Sequence, residues 1–334
     1  MTESLAGTSA VDTTPAPTAP EETGAPRARR RLPGTPLAFA ALVLLFSVLR
    51  PETFLGAGNL RNMVEQVAIL AVVAAVQTVV MAVGDFDLSV GALASFAGVV
   101  AARLMLDGLP AGVAVLAAIA AGALAGAVSG VLVAYLRLSA FIATLAVLTS
   151  LSGASLLLTD GATLFGLPPG FVAPGRERIA GVPVLVIVCA VTVAAVGFLL
   201  AQTSAGSRWF AVGGNAEAAW YAGIDVRLVR MSAFVIAGTG AGIAGVLLTS
   251  RLASAHPTAG DGLMLTSIAA VFLGMTASPT GRVTVAGTLL GVAILGVLDN
   301  GLNLLEVNTY VQQLLTGVII VCAVALSRRG ERSR

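Results

Sequence analysis

The chain contains no lysine; all nineteen of its basic residues are arginine. A phosphate-binding P-loop needs the ammonium of a G-x-x-x-x-G-K-[ST] motif, so this chain is not expected to hydrolyse ATP itself. Histidine is nearly absent too. The single one, His256, stands beside Pro257 and cannot build a metal site alone. The two cysteines, Cys189 and Cys322, lie far apart in apolar runs without metal-ligand spacing. They read as small buried hydrophobes rather than a disulfide. Charge is scarce: 11% of residues are Asp, Glu, Lys or Arg, against roughly a quarter in a soluble domain. That excludes a water-soluble globular fold for most of the chain. No catalytic residue, metal, resident cofactor or nucleic-acid partner is expected.

What the chain does have is apolar length. Hydrophobic residues make up 57% and the mean hydropathy is +0.95. Long runs nearly free of charge belong to helices that cross a hydrocarbon core. The expected fold class is an all-α polytopic membrane protein seated in the lipid bilayer. Ten windows qualify: 37–49, 63–83, 90–106, 111–135, 141–159, 183–201, 231–249, 265–276, 283–298 and 311–326. Residues 1–34, rich in Ala, Thr, Pro and Glu, cannot bury enough surface to fold and form an expected disordered cytoplasmic tail. Arg27, Arg29, Arg30 and Arg31 precede the first window as in a signal peptide, but no small-residue cleavage site follows it, so an uncleaved span is expected. The transmembrane domain is 35–327, and 328–334 form a basic cytoplasmic tail.

Arginine placement orients the spans, because basic residues are retained on the cytoplasmic side. With both termini inside, thirteen of the nineteen arginines fall there, among them Arg137, Arg208, Arg227, Arg230 and Arg282. The outside receives Arg50, Arg61, Arg103, Arg176, Arg178 and Arg251. Small residues recur at close helical spacing, at Gly122, Gly126 and Gly130 and again at Gly238, Gly242 and Gly245, as helices that approach closely in lipid require. The segments 122–140 and 238–255 also share a Gly-Val-Leu and a later Arg-Leu, which reads as a weak internal repeat.

Three polar stretches interrupt the apolar pattern. The first, Gly84-Asp85-Phe86-Asp87-Leu88-Ser89-Val90-Gly91, carries two carboxylates. Either Asp87 or Ser89 caps the following helix, or Asp85, Asp87 and Ser89 line a polar pathway or gate at a broken helix; both readings stay open. The second, Asp299-Asn300-Gly301-Leu302-Asn303, ends a span. Its side chains, Asn300 and Asn303 among them, either touch a hydroxylated solute or tie helices together. The third, 202–230, is placed in the cytoplasm by the arginines. There Gly213 and Gly214 form a turn, Glu217 sits at the positive end of a short helix, and Gly223 stops it. With Trp220 and Tyr221 it suits either a partner's groove or the lipid interface.

Glu217-Ala218-Ala219-x-x-x-Gly223 resembles the EAA-type loop of ATP-binding-cassette importer permeases. The fuller string from Gly213 to Val226 is similar to the version in ribose-type monosaccharide permeases, and 84–91 resembles that family's G-G-I-D-L-S-V-G. Arg251 to Gly260 and Asp299 to Leu305 follow in the same order, so the likeness covers roughly 60–326. There are departures. Asp85 replaces a glycine, Phe86 an isoleucine, His256 stands where glutamine is common, and Trp220-Tyr221 is bulkier than usual.

The resemblance implies one half of an importer channel, pairing with a second copy or a homologous permease. It implies cytoplasmic ATPase subunits that bind ATP and Mg, and an extracytoplasmic solute-binding protein. Gly214, Asn215, Glu217, Ala218, Ala219 and Gly223 are then the ATPase-coupling residues. The expected cargo is a monosaccharide such as ribose; a nucleoside, a branched-chain amino acid, a signalling sugar or ion-coupled secondary transport are the alternatives. A bacterial inner membrane is the expected location.

Overall fold

A computed structural model describes residues 34–278, 281–308, 310–315, 317, 318 and 321. In chain order the helices are α1 (Gly34–Leu49), α2 (Pro51–Phe54), α3 (Ala57–Ala82), α4 (Val90–Leu106), α5 (Ala111–Ala134), α6 (Ala140–Thr159) and α7 (Pro169–Val172). After a two-strand hairpin, β1 (Arg178–Ile179) with β2 (Val182–Pro183), come α8 (Val184–Gln202), α9 (Ser204–Gly214), α10 (Ala216–Tyr221), α11 (Val226–Leu252), α12 (Asp261–Ala277) and α13 (Val285–Leu304). Six of these, α3, α5, α6, α8, α11 and α13, are long and apolar enough to cross a membrane, and α1, α4 and α12 are shorter apolar helices. Nine of the ten expected windows are thus helical among the described residues. The tenth, 311–326, is described only in part, with 310–315 helical. The tails at 1–33 and 328–334 lie outside the described residues.

The bundle is organised around α3. From Ile69 to Val80 every one of its side chains is buried, and α8, α11, α12 and α13 surround it. A helix apolar on all sides has to be enclosed by others. Within that buried stretch Thr78 shares a 2.8 Å hydroxyl contact with Thr288 of α13. Around the outside, Leu116, Leu124, Leu157, Val191 and Phe198 are exposed, the surface a bilayer would wet.

The glycine spacing finds its cause between α5 and α11. A Cβ on Gly122 would lie 2.6 Å from the Gly238 carbonyl, and one on Gly126 would run into Phe234 and Gly238. The helices touch backbone to backbone, so both faces must be stripped of side chains. The glycines shared by 122–140 and 238–255 thus lie on two surfaces that meet each other, each under the same steric demand.

Two helices begin inside the bundle. The second turn of α4 packs Ala94 against Gly245 of α11, far along that helix, while the break before α4 starts beside Arg230 near α11's beginning. The break and the first turn of α4 together, from Asp85 to Ala94, therefore run roughly 22 Å along α11, at 1.5 Å per residue. At its first turn α4 meets the start of α12: a Cβ on Gly91 would lie 2.7 Å from the Gly260 carbonyl, and Gly260 N–H donates to Ser95 Oγ at 2.8 Å.

Candidate coupling and transport sites

The segment between α8 and α11 is a chain of capped turns. Thr203 caps α9, accepting from Gly206 N–H at 3.3 Å. Asn215 is extended and caps α10, accepting from Ala218 N–H at 2.9 Å. Gly223 ends α10 with φ +82. Its N–H donates to Trp220 and that of Ile224 to Ala219, the paired bonds that close a helix on a left-handed residue. Asp225 then accepts from the N–H groups of Arg227 and Leu228 at 3.0 and 3.1 Å and opens α11.

One expectation is corrected here. Gly213 and Gly214 are the last residues of α9, and the turn falls at Asn215. Gly213 is needed for another reason: a Cβ there would collide with the carbonyl of Ala82 at the end of α3. The base of α10 is fixed through buried Ala219, while Glu217, Ala218 and Gly223 are exposed. Trp220 and Tyr221, 63% and 74% exposed, pack edge to face at 5.0 Å. Trp209 of α9 is the opposite, buried with Nε1–H donating to Ser232 at 3.0 Å.

The break at 84–89 abuts this segment. Gly84 (φ +85) ends α3 in the same left-handed manner as Gly223 ends α10, with Asp85 N–H donating to Val80. Arg230 lies 3.2 Å from the Asp85 carboxylate and donates to it at 3.4 Å. Phe86 meets Phe272 of α12 at 6.0 Å between ring centres. Asp87 and Ser89 are fully buried. Neither caps α4 in the usual way, because Ser89 caps no N–H of the helix and is itself tied to Asp87. Asp87 Oδ1 accepts from both the N–H and the hydroxyl of Ser89, an Asx turn set one step ahead of the helix. The rest of the break is held by neighbours. Leu88 N–H donates to Thr144 of α6, and the Gln77 amide, oriented to fit, bonds both the N–H and the carbonyl of Asp87. The chain had marked none of these partners by motif. A lone amide in the apolar run of α3 was the available signal for Gln77.

The third stretch lies at the opposite end of the bundle, since α13 begins beside Leu200 of α8 and Phe210 of α9 and runs away from them. Asn300 is paired with Asn59 of α3 through two reciprocal amide bonds of 2.8 and 2.9 Å. Asn303 accepts from Gln312 at 3.0 Å. Asp299 faces a cavity of about 240 Å³. Larger, at about 670 Å³, is the hollow between α3, α8 and α13, but its wall is almost wholly Ala, Val, Leu and Gly, with only Thr284 and Cys189 otherwise polar. The structure thus joins Asp85 to the coupling segment and separates both from Asn300 and Asn303. Among the described residues no cluster of His, Cys, Asp or Glu could hold a metal ion.

Residues 59–324 match the family described as the branched-chain amino acid transport system permease component. The chain belongs to that family. It is 39% identical over 295 residues to the ribose import permease protein of Bacillus subtilis (strain 168), covering 88% of this chain and 91% of the relative. It is 38% identical over 303 residues to the ribose import permease protein of Escherichia coli (strain K12), covering 88% and 92%. The D-allose transport system permease protein of the same strain is 35% identical over 296 residues, covering 88% and 91%. No solved structure matches. The permease is of the ribose type within ATP-binding-cassette transport, and its long apolar helices and bacterial relatives agree on a multi-pass inner-membrane protein.

Proposed function

We propose that this permease imports a monosaccharide such as ribose, driven by ATP hydrolysed on a separate subunit. The relatives named for ribose and D-allose support the cargo. Ten spans with both termini cytoplasmic follow from the arginine asymmetry, and that puts α10 on the ATPase side. There Gly214, Asn215, Glu217, Ala218, Ala219 and Gly223 form a rigid projection whose exposed Trp220 and Tyr221 enter a groove of the ATPase. ATP and Mg are held by that partner. A second permease copy and an external solute-binding protein complete the assembly.

The observation that carries this reading is a mechanical one. α10 is exposed on one side and packs on the other against α9 and α11, which fasten it through Gly213 of α9 against Ala82 and Arg230 of α11 against Asp85 to the buried helix α3 and the break that follows it. Movement imposed on α10 has a stiff route to the centre of the bundle. Neither protein state needs new covalent chemistry; the partner shifts the balance between two arrangements.

The test is uptake of labelled D-ribose into proteoliposomes holding this chain with its ATPase and solute-binding protein. ATP-dependent uptake, lost when the ATPase is left out, is expected. Uptake by this chain alone, driven by an ion gradient, would overturn the reading. Competition by excess nucleoside or leucine checks the cargo.

A further inference from the structure

The cavity of about 240 Å³ opens where α3, α12 and α13 meet, at the end of the bundle away from α10. Three polar side chains line it, one from each helix: Gln66, Thr266 and Asp299. Met63, Leu70 and Leu263 supply apolar wall between them. The polar residues around the rim are already committed to fastening helices. Glu65 is 3.7 Å from Arg251, and Asn300 is locked to Asn59. By contrast, Gln66 and Asp299 make no hydrogen bond or ion pair among the described residues. Thr266 donates to the Gly262 carbonyl at 2.8 Å, which leaves its oxygen lone pairs as acceptors.

The chemistry of that wall selects a class of solute. A carboxylate only accepts, an amide does both, and this hydroxyl accepts, so the set matches hydroxyl groups that donate and accept. No arginine lines the cavity, so the carboxylate of an amino acid would enter beside Asp299 without a cation to meet it. No aromatic ring lines it either, as stacking on a nucleobase would want. The volume falls below the roughly 300–1,000 Å³ of sites for drug-sized ligands. We propose that this cavity is a contact station for a neutral polyhydroxylated solute of monosaccharide size, with Asp299, Gln66 and Thr266 bonding its hydroxyls and Met63 with Leu263 covering its C–H face. It rests on the sugar-import reading above, in which this end of the bundle faces the outside.

The experiment uses the complete assembly in proteoliposomes, with D-ribose, D-allose and L-arabinose and with deoxy analogues of whichever is imported. D299N, Q66L and T266V are compared with wild type. A lost hydrogen bond to a charged group predicts about a tenfold fall in the uptake rate with D299N. The penalty should shrink for an analogue lacking the hydroxyl that Asp299 meets. T266C, labelled from outside by a membrane-impermeant thiol reagent, should be protected by the imported sugar. Wild-type rates in all three variants, or one common slowing for every analogue, would overturn the station while leaving the import reading intact. A wild-type assembly that imports none of the sugars removes both.

Discussion

Arg230, one turn into α11, stands 3.2 Å from the carboxylate of Asp85 at the end of α3. The Asp85 side chain is 9% exposed and that of Arg230 33%, so the pair is half in the protein and half at its edge. R230Q leaves a buried carboxylate without its cation and should cost roughly 2 kcal/mol. D85N/R230Q should recover most of that. Thermal unfolding in detergent checks the stability; a loss in the double variant equal to the sum of the two single losses would show that the pair does not couple.

Gly223 adopts φ +82 and its N–H is bonded. G223P removes the donor and forbids the angle, so α10 should lose its end. Uptake should disappear while membrane insertion, followed by protease protection, stays normal. G223A should be milder, at about 1 kcal/mol. Normal uptake by G223P would remove α10 from the coupling route.

Trp220 and Tyr221 carry almost no packing load, because their exposed rings touch chiefly each other. W220A/Y221A should unfold at the wild-type temperature yet bind the ATPase at least tenfold more weakly, as loss of an aromatic anchor does. E217R, on the same exposed face, should also abolish uptake. Co-purification of the ATPase with the permease measures both.

Asp87 Oδ1 holds Ser89 by two bonds, which the side-chain carbonyl of asparagine reproduces and alanine does not. D87A should therefore lower both uptake and thermal stability, the latter by about 1–3 kcal/mol for the unsatisfied buried donors. D87N should keep most of each. Wild-type behaviour in both variants would exclude structural and pathway roles alike.

Asn59 and Asn300 form a closed pair. N59A and N300A should each cost about 1 kcal/mol, and the double variant little more than either alone. Sugar preference should not change, since the pair fastens helices. A thermal double-mutant cycle with uptake competition tests both halves.

Much of the fold was readable because hydrocarbon imposes one-dimensional rules. Long apolar windows and glycine spacing depend on local sequence, and nine windows became nine helices with ends within six residues. Gly223 and Asn215 were legible for the same reason, since caps act over three or four residues. The partners of the breaks were not. Arg230 lies 145 residues from Asp85, and Asn59 lies 241 from Asn300; no periodicity carries such distances. Gly213 shows how a correct residue can be read for the wrong cause. It looked like turn chemistry, yet its small size serves a contact with Ala82, more than a hundred positions earlier. In the same way Asn300 drew attention as a polar group at a span end, while its neighbour Asp299, one position along the helix, faces the cavity.

The meeting of α4 and α12 at Gly91 and Gly260 limits how this bundle can move. Each helix has 17 residues, about 25 Å of length, against a hydrocarbon core of roughly 30 Å. The remaining depth is crossed by irregular backbone whose polar groups rely on Gln77, Thr144 and Ser95. Baring even one such group to lipid costs several kcal/mol. Neither short helix can peel away from its neighbours during a cycle without incurring that cost. The two short helices are therefore expected to move as one body with the neighbours that satisfy their ends, rather than as separate gates.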